Sequence, residues 1–268
     1  MTGLGTLAAQ YPAIAGATGG VIGLMVGSFL NVVAARLPAI ALDDRRSGEW
    51  PAALAHPPSS CPGCGAAIRW RHNIPLLSYL LLRGRCAGCA MPIPLRYPIM
   101  ELAGGVIGCG AVLAFGFGIE GLAVAALGMI LLALTAIDIE HRILPDQIVL
   151  PGLWAGLVLN AFAVLVTPQD AIVGAATGFG LLSAIRLGYL ALRGREGMGR
   201  GDPKLAAMIG AWLGPEAALT AILLAFVIGS LSGLAVLLFR RADWRAELPF
   251  GPALAVGAAA AALGVSFY

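Results

Sequence analysis

Gly121-Leu-Ala-Val-Ala-Ala-Leu-Gly-Met-Ile-Leu-Leu-Ala-Leu-Thr-Ala-Ile137 carries no charged side chain, and it runs directly into Asp138-Ile-Glu140-His-Arg142. An apolar helix of about 20 residues crosses the hydrocarbon layer of a bilayer, so 121–139 reads as a membrane span that ends in acid. Comparable apolar runs lie at 16–38, 95–117, 147–167, 170–190, 203–214, 217–239 and 250–267. The run 203–214 is too short to cross unless it dips or pairs with its neighbour across Gly214-Pro215. The chain of 268 residues is 59% hydrophobic and 12% charged, with mean hydropathy +0.88. A soluble domain has about 25% charged residues, so too few charges are present to cover a water-facing surface. The 37 glycines suit a bilayer, where small residues let helix backbones approach. The expected fold is all-α: a polytopic membrane helix bundle of about eight transmembrane helices. Residues 1–15 hold no Lys or Arg, so the first apolar run lacks the positive flank of a signal peptide and is expected to stay as a span.

Charge sets the expected orientation. All 17 Lys and Arg residues lie at Arg36, within 41–97, at Arg142, between Arg186 and Lys204, or between Arg240 and Arg245. Eight spans put every one of them on one side, as the positive-inside rule expects of the cytoplasm, with both termini outside. Seven spans would move Arg240, Arg241 and Arg245 to the other face. The formal charge of +3 is then an orientation signal. No basic patch is interleaved with aromatics, and nucleic acid is not expected as a partner.

The one long polar segment, 41–97, divides the chain into a first span (1–40), a Cys-rich cytoplasmic insertion (41–97) and a membrane bundle (98–268). It contains Cys61-Pro-Gly-Cys64 and Cys86-Ala-Gly-Cys89, two CxxC turns separated by 21 residues. Each short turn can aim two sulfurs at one ion, and the spacer can bring the pairs together. Cys61, Cys64, Cys86 and Cys89 therefore form a candidate four-thiolate zinc site. Disulfides are the competing reading, disfavoured in a reducing cytoplasm. A closed four-Cys site has no open position for substrate, so the metal would be structural. Cys109, in an apolar span, reads as a packing residue, and His56 and His72 as surface residues near the site.

Ionisable groups at the ends of apolar spans are functional candidates. Two segments qualify: Asp138-Ile-Glu140-His-Arg-Ile-Leu-Pro-Asp146 after the run 121–137, and Gly199-Arg-Gly201-Asp202-Pro-Lys204 before the run starting at Leu205. In the eight-span topology both lie at the cytoplasmic boundary, where two carboxylates at one depth can meet between helices. Such a pair shares a proton and can act on a peptide bond, one carboxylate drawing a proton from water and the other polarising the carbonyl. Plainer roles compete. Asp202 before Pro203 suits a helix cap, Asp146 can cap the span near Ile148, and Asp138 with Arg142 is spaced as an i, i+4 ion pair. The Gly-x-Gly-x-Gly stretch 197–201 follows a membrane span and not a strand, which argues against a dinucleotide loop. There is no His-Glu-x-x-His and no Gly-x-Ser-x-Gly. Taken alone, these residues fit a hydrolase or a proton-coupled transporter using the same carboxylates. The transporter would need a polar path to the outer side, where few residues beyond Asn160 supply one.

From Gly27 to Gly257 the sequence resembles the bacterial prepilin peptidases, the type 4 prepilin leader peptidases among the Gly-x-Gly-Asp aspartyl proteases. The resemblance is carried by Gly27-Ser-Phe-Leu-Asn-Val-Val-Ala-Ala-Arg-Leu-Pro38, the double CxxC insertion with Asn73-Ile-Pro75, Ser78, Leu82-Arg-Gly84, and Tyr97-Pro98 with Glu101. Further along come Ile137-Asp138, Leu144-Pro-Asp146, Gly199-Arg-Gly-Asp202-Pro-Lys204 and Pro249-Phe-Gly-Pro252. It implies that Asp138 and Asp202 are a catalytic pair, with Gly199, Gly201, Lys204, Glu140 and Asp146 as supporting motif residues. It also implies an inner-membrane protease cleaving the basic leader of type IV prepilins and type II secretion pseudopilins on the cytoplasmic side. Members with the Cys-rich insertion also N-methylate the new N-terminus from S-adenosylmethionine, so that cofactor is expected beside structural Zn2+. A methyltransferase that has lost its protease is disfavoured because both Asp residues are present. Two departures stand out: Glu140 replaces a second Asp, and Pro203 replaces an apolar residue after the catalytic Asp.

Overall fold

The computed structural model describes residues 10–42, 50–240 and 249–264. Arg45, Arg46, Arg241 and Arg245, which enter the charge argument, lie outside the described residues, as does the end of the span 250–267. Among the described residues the regular structure is helical, apart from a 3-10 turn and two isolated β-bridges. In chain order the helices are α1 (Pro12–Ala41), α2 (Trp50–Ala55), α3 (Leu77–Leu81), α4 (Arg96–Phe115), α5 (Ile119–His141), α6 (Asp146–Ala161), α7 (Pro168–Arg193), α8 (Asp202–Arg240) and α9 (Gly251–Gly264). Five of them (α1, α4, α5, α7 and α8) are long and apolar enough to cross a membrane. α6, with 16 residues, and α9, with 14, are shorter. The expected runs 203–214 and 217–239 join into α8, which breaks at Gly214, so the count of about eight holds only approximately.

The chain forms two compact units, Met1–Ala133 and Leu134–Tyr268, with the boundary inside α5. In the first unit α1 lies against α4 along small residues. Gly19, Gly23 and Gly27 recur every fourth position on α1 and face Gly104 and Gly108 of α4, all buried. A methyl group on Gly27 would stand 2.6 Å from the Met100 carbonyl oxygen. Only hydrogen fits, and the backbones close to van der Waals contact, which is how helices associate where burial from water provides no drive.

In the second unit α8 is the central helix, packed against α6, α7 and α9. Gly174 and Gly178 of α7 abut the backbone of Gly210 and Ala206, and Gly257 of α9 abuts Ala221. Local chemistry sets the ends of α7: Thr167 Oγ1 accepts the Asp170 N–H at 3.1 Å, Pro168 occupies the first turn, and Gly194 closes the helix in the left-handed region. The break in α8 has an equally local cause. Gly214 takes φ 83°, and Pro215 has no N–H for the Ala211 carbonyl four residues back. Asn160 of α6 fills that gap. Its Nδ2 donates to the carbonyls of Ala211 (2.9 Å) and Trp212 (3.0 Å), and its Oδ1 accepts from Leu165 (2.9 Å) and Val166 (3.2 Å). Trp212 locks the same contact from the other side, its indole N–H donating to the Gly152 carbonyl at 2.7 Å.

Candidate active site and metal centre

Asp138 and Asp202 both belong to the second unit and both are buried, with 6% and 5% of their surface exposed. Asp138 lies one turn before the end of α5. The helix stops as Arg142, its N–H on the Asp138 carbonyl at 2.9 Å, turns to φ 56°. The Asp138 carboxylate accepts the backbone N–H of Gly251 at 2.9 Å. Gly251 is the first residue of α9, where Phe250 already supplies the first helical carbonyl, to Leu254. Its N–H is one of those a helix start leaves without an internal partner. The Arg142 charge also acts on Asp138, so the i, i+4 reading describes one component of a larger setting.

Asp202 opens α8. Gly201, and not Asp202, supplies the first helical carbonyl, accepting the Leu205 N–H at 2.9 Å. This leaves the Asp202 carboxylate turned back into the glycine loop, where it takes a backbone hydrogen bond from Gly199. A side chain on Gly199 would start 3.1 Å from Asp202 Oδ2. The charge of Asp138 acts directly on Asp202. Two buried carboxylates from different helices thus lie near enough for one charge to act on the other, each beside a helix start, where the backbone dipole is positive.

The supporting residues separate into distinct positions. A methyl on Gly201 would stand 2.7 Å from Leu144 Cβ, so that glycine lets the loop close on the turn after α5. Asp146 starts α6, but Pro145 holds the cap position. The Asp146 carboxylate instead accepts Lys204 Nζ, 2.8 Å from each oxygen, tying the starts of α6 and α8 together. Glu140 is on the exposed face of α5, its Oε2 3.9 Å from His141 Nε2. Gly251 was not singled out as a site residue by sequence reasoning. Its signal was the Pro249-Phe-Gly-Pro252 motif, but what it contributes is a backbone N–H, which residue type does not advertise.

In the first unit, the sulfurs of Cys61, Cys64, Cys86 and Cys89 all lie within 4.8 Å of one another, and no His, Asp or Glu joins them among the described residues. All four are free thiols. Cys61 and Cys89 Sγ are 3.7 Å apart, close to the roughly 3.8 Å separation of two ligands placed tetrahedrally at a Zn–S distance of about 2.3 Å. Each CxxC is a knuckle closed by backbone bonds: Cys61 N–H to Ala66 (3.0 Å) and Gly65 N–H to Cys61 (2.8 Å), then Cys86 N–H to Met91 (2.8 Å) and Ala90 N–H to Cys86 (3.0 Å). Gly65 and Ala90 occupy equivalent positions with φ 69° and 59°. Backbone N–H groups of Cys89 and Gly88 bring the Cys86 thiol down to about 6, whereas Cys89, despite the Met91 backbone, is pushed up to about 11 by the sulfurs around it; the cluster thus favours a thiolate, the metal-binding form, at Cys86. Cys109 is half-buried on α4, away from the cluster, as expected of a packing residue.

A family profile described as Bacterial Peptidase A24 N-terminal domain matches residues 21–115, and one described as Type IV leader peptidase family matches 125–234. A Burkholderia pseudomallei (strain 1026b) protein named prepilin leader peptidase/N-methyltransferase is 43% identical over 267 residues, covering 92% of this chain and 85% of that protein. Proteins of the same name from Stutzerimonas stutzeri and Pseudomonas putida are 42% and 40% identical, covering 88% and 94% of this chain and 86% and 92% of their own. No solved structure matches. Sustained identity across nearly the whole length, through both units, makes this chain a member of the type IV leader peptidase family.

Proposed function

We propose that the protein is a multi-pass inner-membrane prepilin peptidase that also N-methylates its product, with Asp138 and Asp202 as the catalytic pair. The observation that supports the peptidase reading is a pair of buried carboxylates, from α5 and α8 of one unit, each held by a backbone N–H and near enough for one charge to act on the other. In hydrolysis the ionised carboxylate takes a proton from water as the water oxygen bonds to the scissile carbonyl carbon. The protonated partner donates to the carbonyl oxygen. Collapse of the tetrahedral intermediate breaks the C–N bond, and a proton passes to the leaving amine. Gly251 and Gly199 hold the carboxylates in place throughout, and Lys204 with Asp146 clamps the helix starts around them.

The substrates are type IV prepilins and type II secretion pseudopilins, cut on the cytoplasmic face where the positive-inside rule puts both carboxylates and the Cys-rich insertion. The four cysteines suit Zn2+ in number, spacing and donor type, and in a closed tetrahedral set the ion supports the insertion and does not reach substrate. For methylation, S-adenosylmethionine supplies an electrophilic methyl group for the amine that cleavage exposes. The transporter reading has no support among the relatives.

Co-expression with a cognate prepilin tests the proposal, reading the mass of the mature product. Wild type is expected to give a shortened product carrying one added methyl, and Asp138→Asn and Asp202→Asn to leave full-length prepilin while still folding in the membrane. Near wild-type cleavage by Asp202→Asn would refute the pair. Cleavage without the methyl would leave a peptidase whose insertion serves structure alone, and methylation of a pre-cut peptide without cleavage would mark a methyltransferase that has lost its protease.

A further inference from the structure

We propose that the cleft formed by α1 and the insertion, within the first unit, binds the S-adenosylmethionine methyl donor; this rests on the methyl-transfer part of the function above. The starting observation is Glu101, a buried acid with 9% of its surface exposed, on the spanning helix α4. Acids in such positions mark functional sites. Both of its oxygens are committed: Oε1 accepts the Ser28 hydroxyl of α1 at 2.8 Å, and Oε2 accepts the Leu76 N–H at 2.8 Å.

Leu76 is held in an unusual conformation, φ 59° and ψ −47°. The Leu77 N–H closes on the Pro75 carbonyl at 2.6 Å, a three-residue turn rarely adopted by side-chain-bearing residues. Such turns persist where the surroundings impose them, and they concentrate at ligand sites. The surroundings here are explicit. Ser78 Oγ accepts the Ile74 N–H at 2.9 Å and donates to the Arg71 carbonyl at 3.0 Å, while Glu101 grips the turn from the α4 side. The effect is to fix Asn73 and Pro75 as a wall of a cleft that includes Ser28.

That cleft has a volume of about 410 Å³ and is lined by Ser28, Phe29, Arg36, Ala55, Asn73 and Pro75, among others. Small-molecule sites run from about 300 to 1,000 Å³, so its size suits a nucleoside-sized ligand. The lining matches the donor's parts. Phe29, half of it exposed, offers a flat apolar face to a purine. The Asn73 amide and Ser28 hydroxyl both donate and accept, as a ribose diol and an amino-acid end require. Arg36 brings the positive charge a carboxylate needs, its guanidinium oriented by the carbonyls of Leu54 (3.1 Å) and Pro57 (2.7 Å). Ser28, Asn73, Pro75 and Glu101 all belong to motifs that leader cleavage leaves without a role.

The test uses the full chain, purified in detergent with its metal. Binding of S-adenosylhomocysteine is measured directly, and radiolabelled S-adenosylmethionine is cross-linked by ultraviolet light and mapped by mass spectrometry. The label is expected on peptides covering 25–36 or 54–75. Ala55→Trp, which fills the cleft from an exposed position, and Asn73→Ala are each expected to weaken binding at least ten-fold, with metal content and melting temperature confirming the fold. Label elsewhere, or unchanged affinity in Ala55→Trp, overturns the site while leaving methyl transfer intact. A wild type that cleaves prepilin yet binds no donor removes the methyl-transfer reading itself, and the site with it.

Discussion

Gly251→Ala adds one methyl group to the point where α9 meets Asp138. An ideal Cβ there would stand 2.7 Å from Asp138 Oδ2, 3.2 Å from Cγ and 3.4 Å from Cβ. Carbon and oxygen settle no closer than about 3.3 Å, so the carboxylate must retreat by roughly 0.6 Å or α9 must start elsewhere. Rotation about the Cβ–Cγ bond moves the oxygen but leaves Cγ at 3.2 Å, so it does not by itself relieve the clash. Either movement breaks the 2.9 Å bond from the Gly251 N–H, and bonds to charged groups contribute about 1.5–3 kcal/mol. Displacing a reacting group by about 1 Å lowers rate by about 100-fold. The expected result is a 10- to 100-fold fall in kcat for leader cleavage, followed by gel mobility over time with saturating prepilin. Gly180→Ala is the control, since a Cβ there meets nothing within 4 Å and only helix propensity changes, by up to about 1 kcal/mol in favour of Ala. Cleavage by Gly251→Ala within two-fold of wild type, with normal stability, would show that α9 does not set the position of Asp138.

Asn160→Leu leaves two carbonyls and two N–H groups at the α8 break without partners, at about 1–3 kcal/mol for each buried group; after partial relaxation a loss of about 4 kcal/mol is expected in reversible unfolding from micelles. Cys64→Ser is expected to lower bound zinc from one per chain to well below half in elemental analysis of anaerobically purified protein, with the insertion becoming protease-sensitive. A wild type free of metal under the same conditions would refute the four-thiolate site. Ala90→Gly relieves a left-handed conformation that Gly65 adopts freely in the other knuckle, so metal retention against a chelator is expected to improve, by up to about 1 kcal/mol.

Sequence made legible what has a periodic or compositional signature. Apolar runs located most of the helices to within a few residues, although 203–214 and 217–239 form one broken helix and the run 147–167 stays helical only to Ala161; paired CxxC turns announced the sulfur cluster. Acids set against apolar runs drew attention to Asp138 and Asp202. Less legible were features fixed by which helices touch. Asp146 looked like a cap, because a carboxylate at a helix start is one; its partnership with Lys204, 58 positions away, depends on how α6 packs against α8. Asn160 read as one of a few scattered polar residues, although its four bonds hold the central break. Gly251 contributes a backbone N–H, a group every residue but proline owns. Glu101 entered only through family resemblance, and the strained turn it grips lies in a segment with neither helical nor strand periodicity.

The break at Gly214 has a consequence for the barrier the protein must leave intact. An unbroken α8 of 39 residues would extend about 58 Å, nearly twice the thickness of a hydrocarbon core of about 30 Å. The break opens polar backbone about 18 Å along the helix from Asp202, which in a spanning α8 that starts at one face falls within the apolar layer. Water would ordinarily solvate such a gap, and a file of water running from there toward a proton-exchanging carboxylate pair would short-circuit the membrane potential. Asn160 solvates the break with its own amide, donor and acceptor together. On the proposed assignment of Asp138 and Asp202, the hydrolytic centre would then draw on water from one side while the bilayer stays sealed to protons.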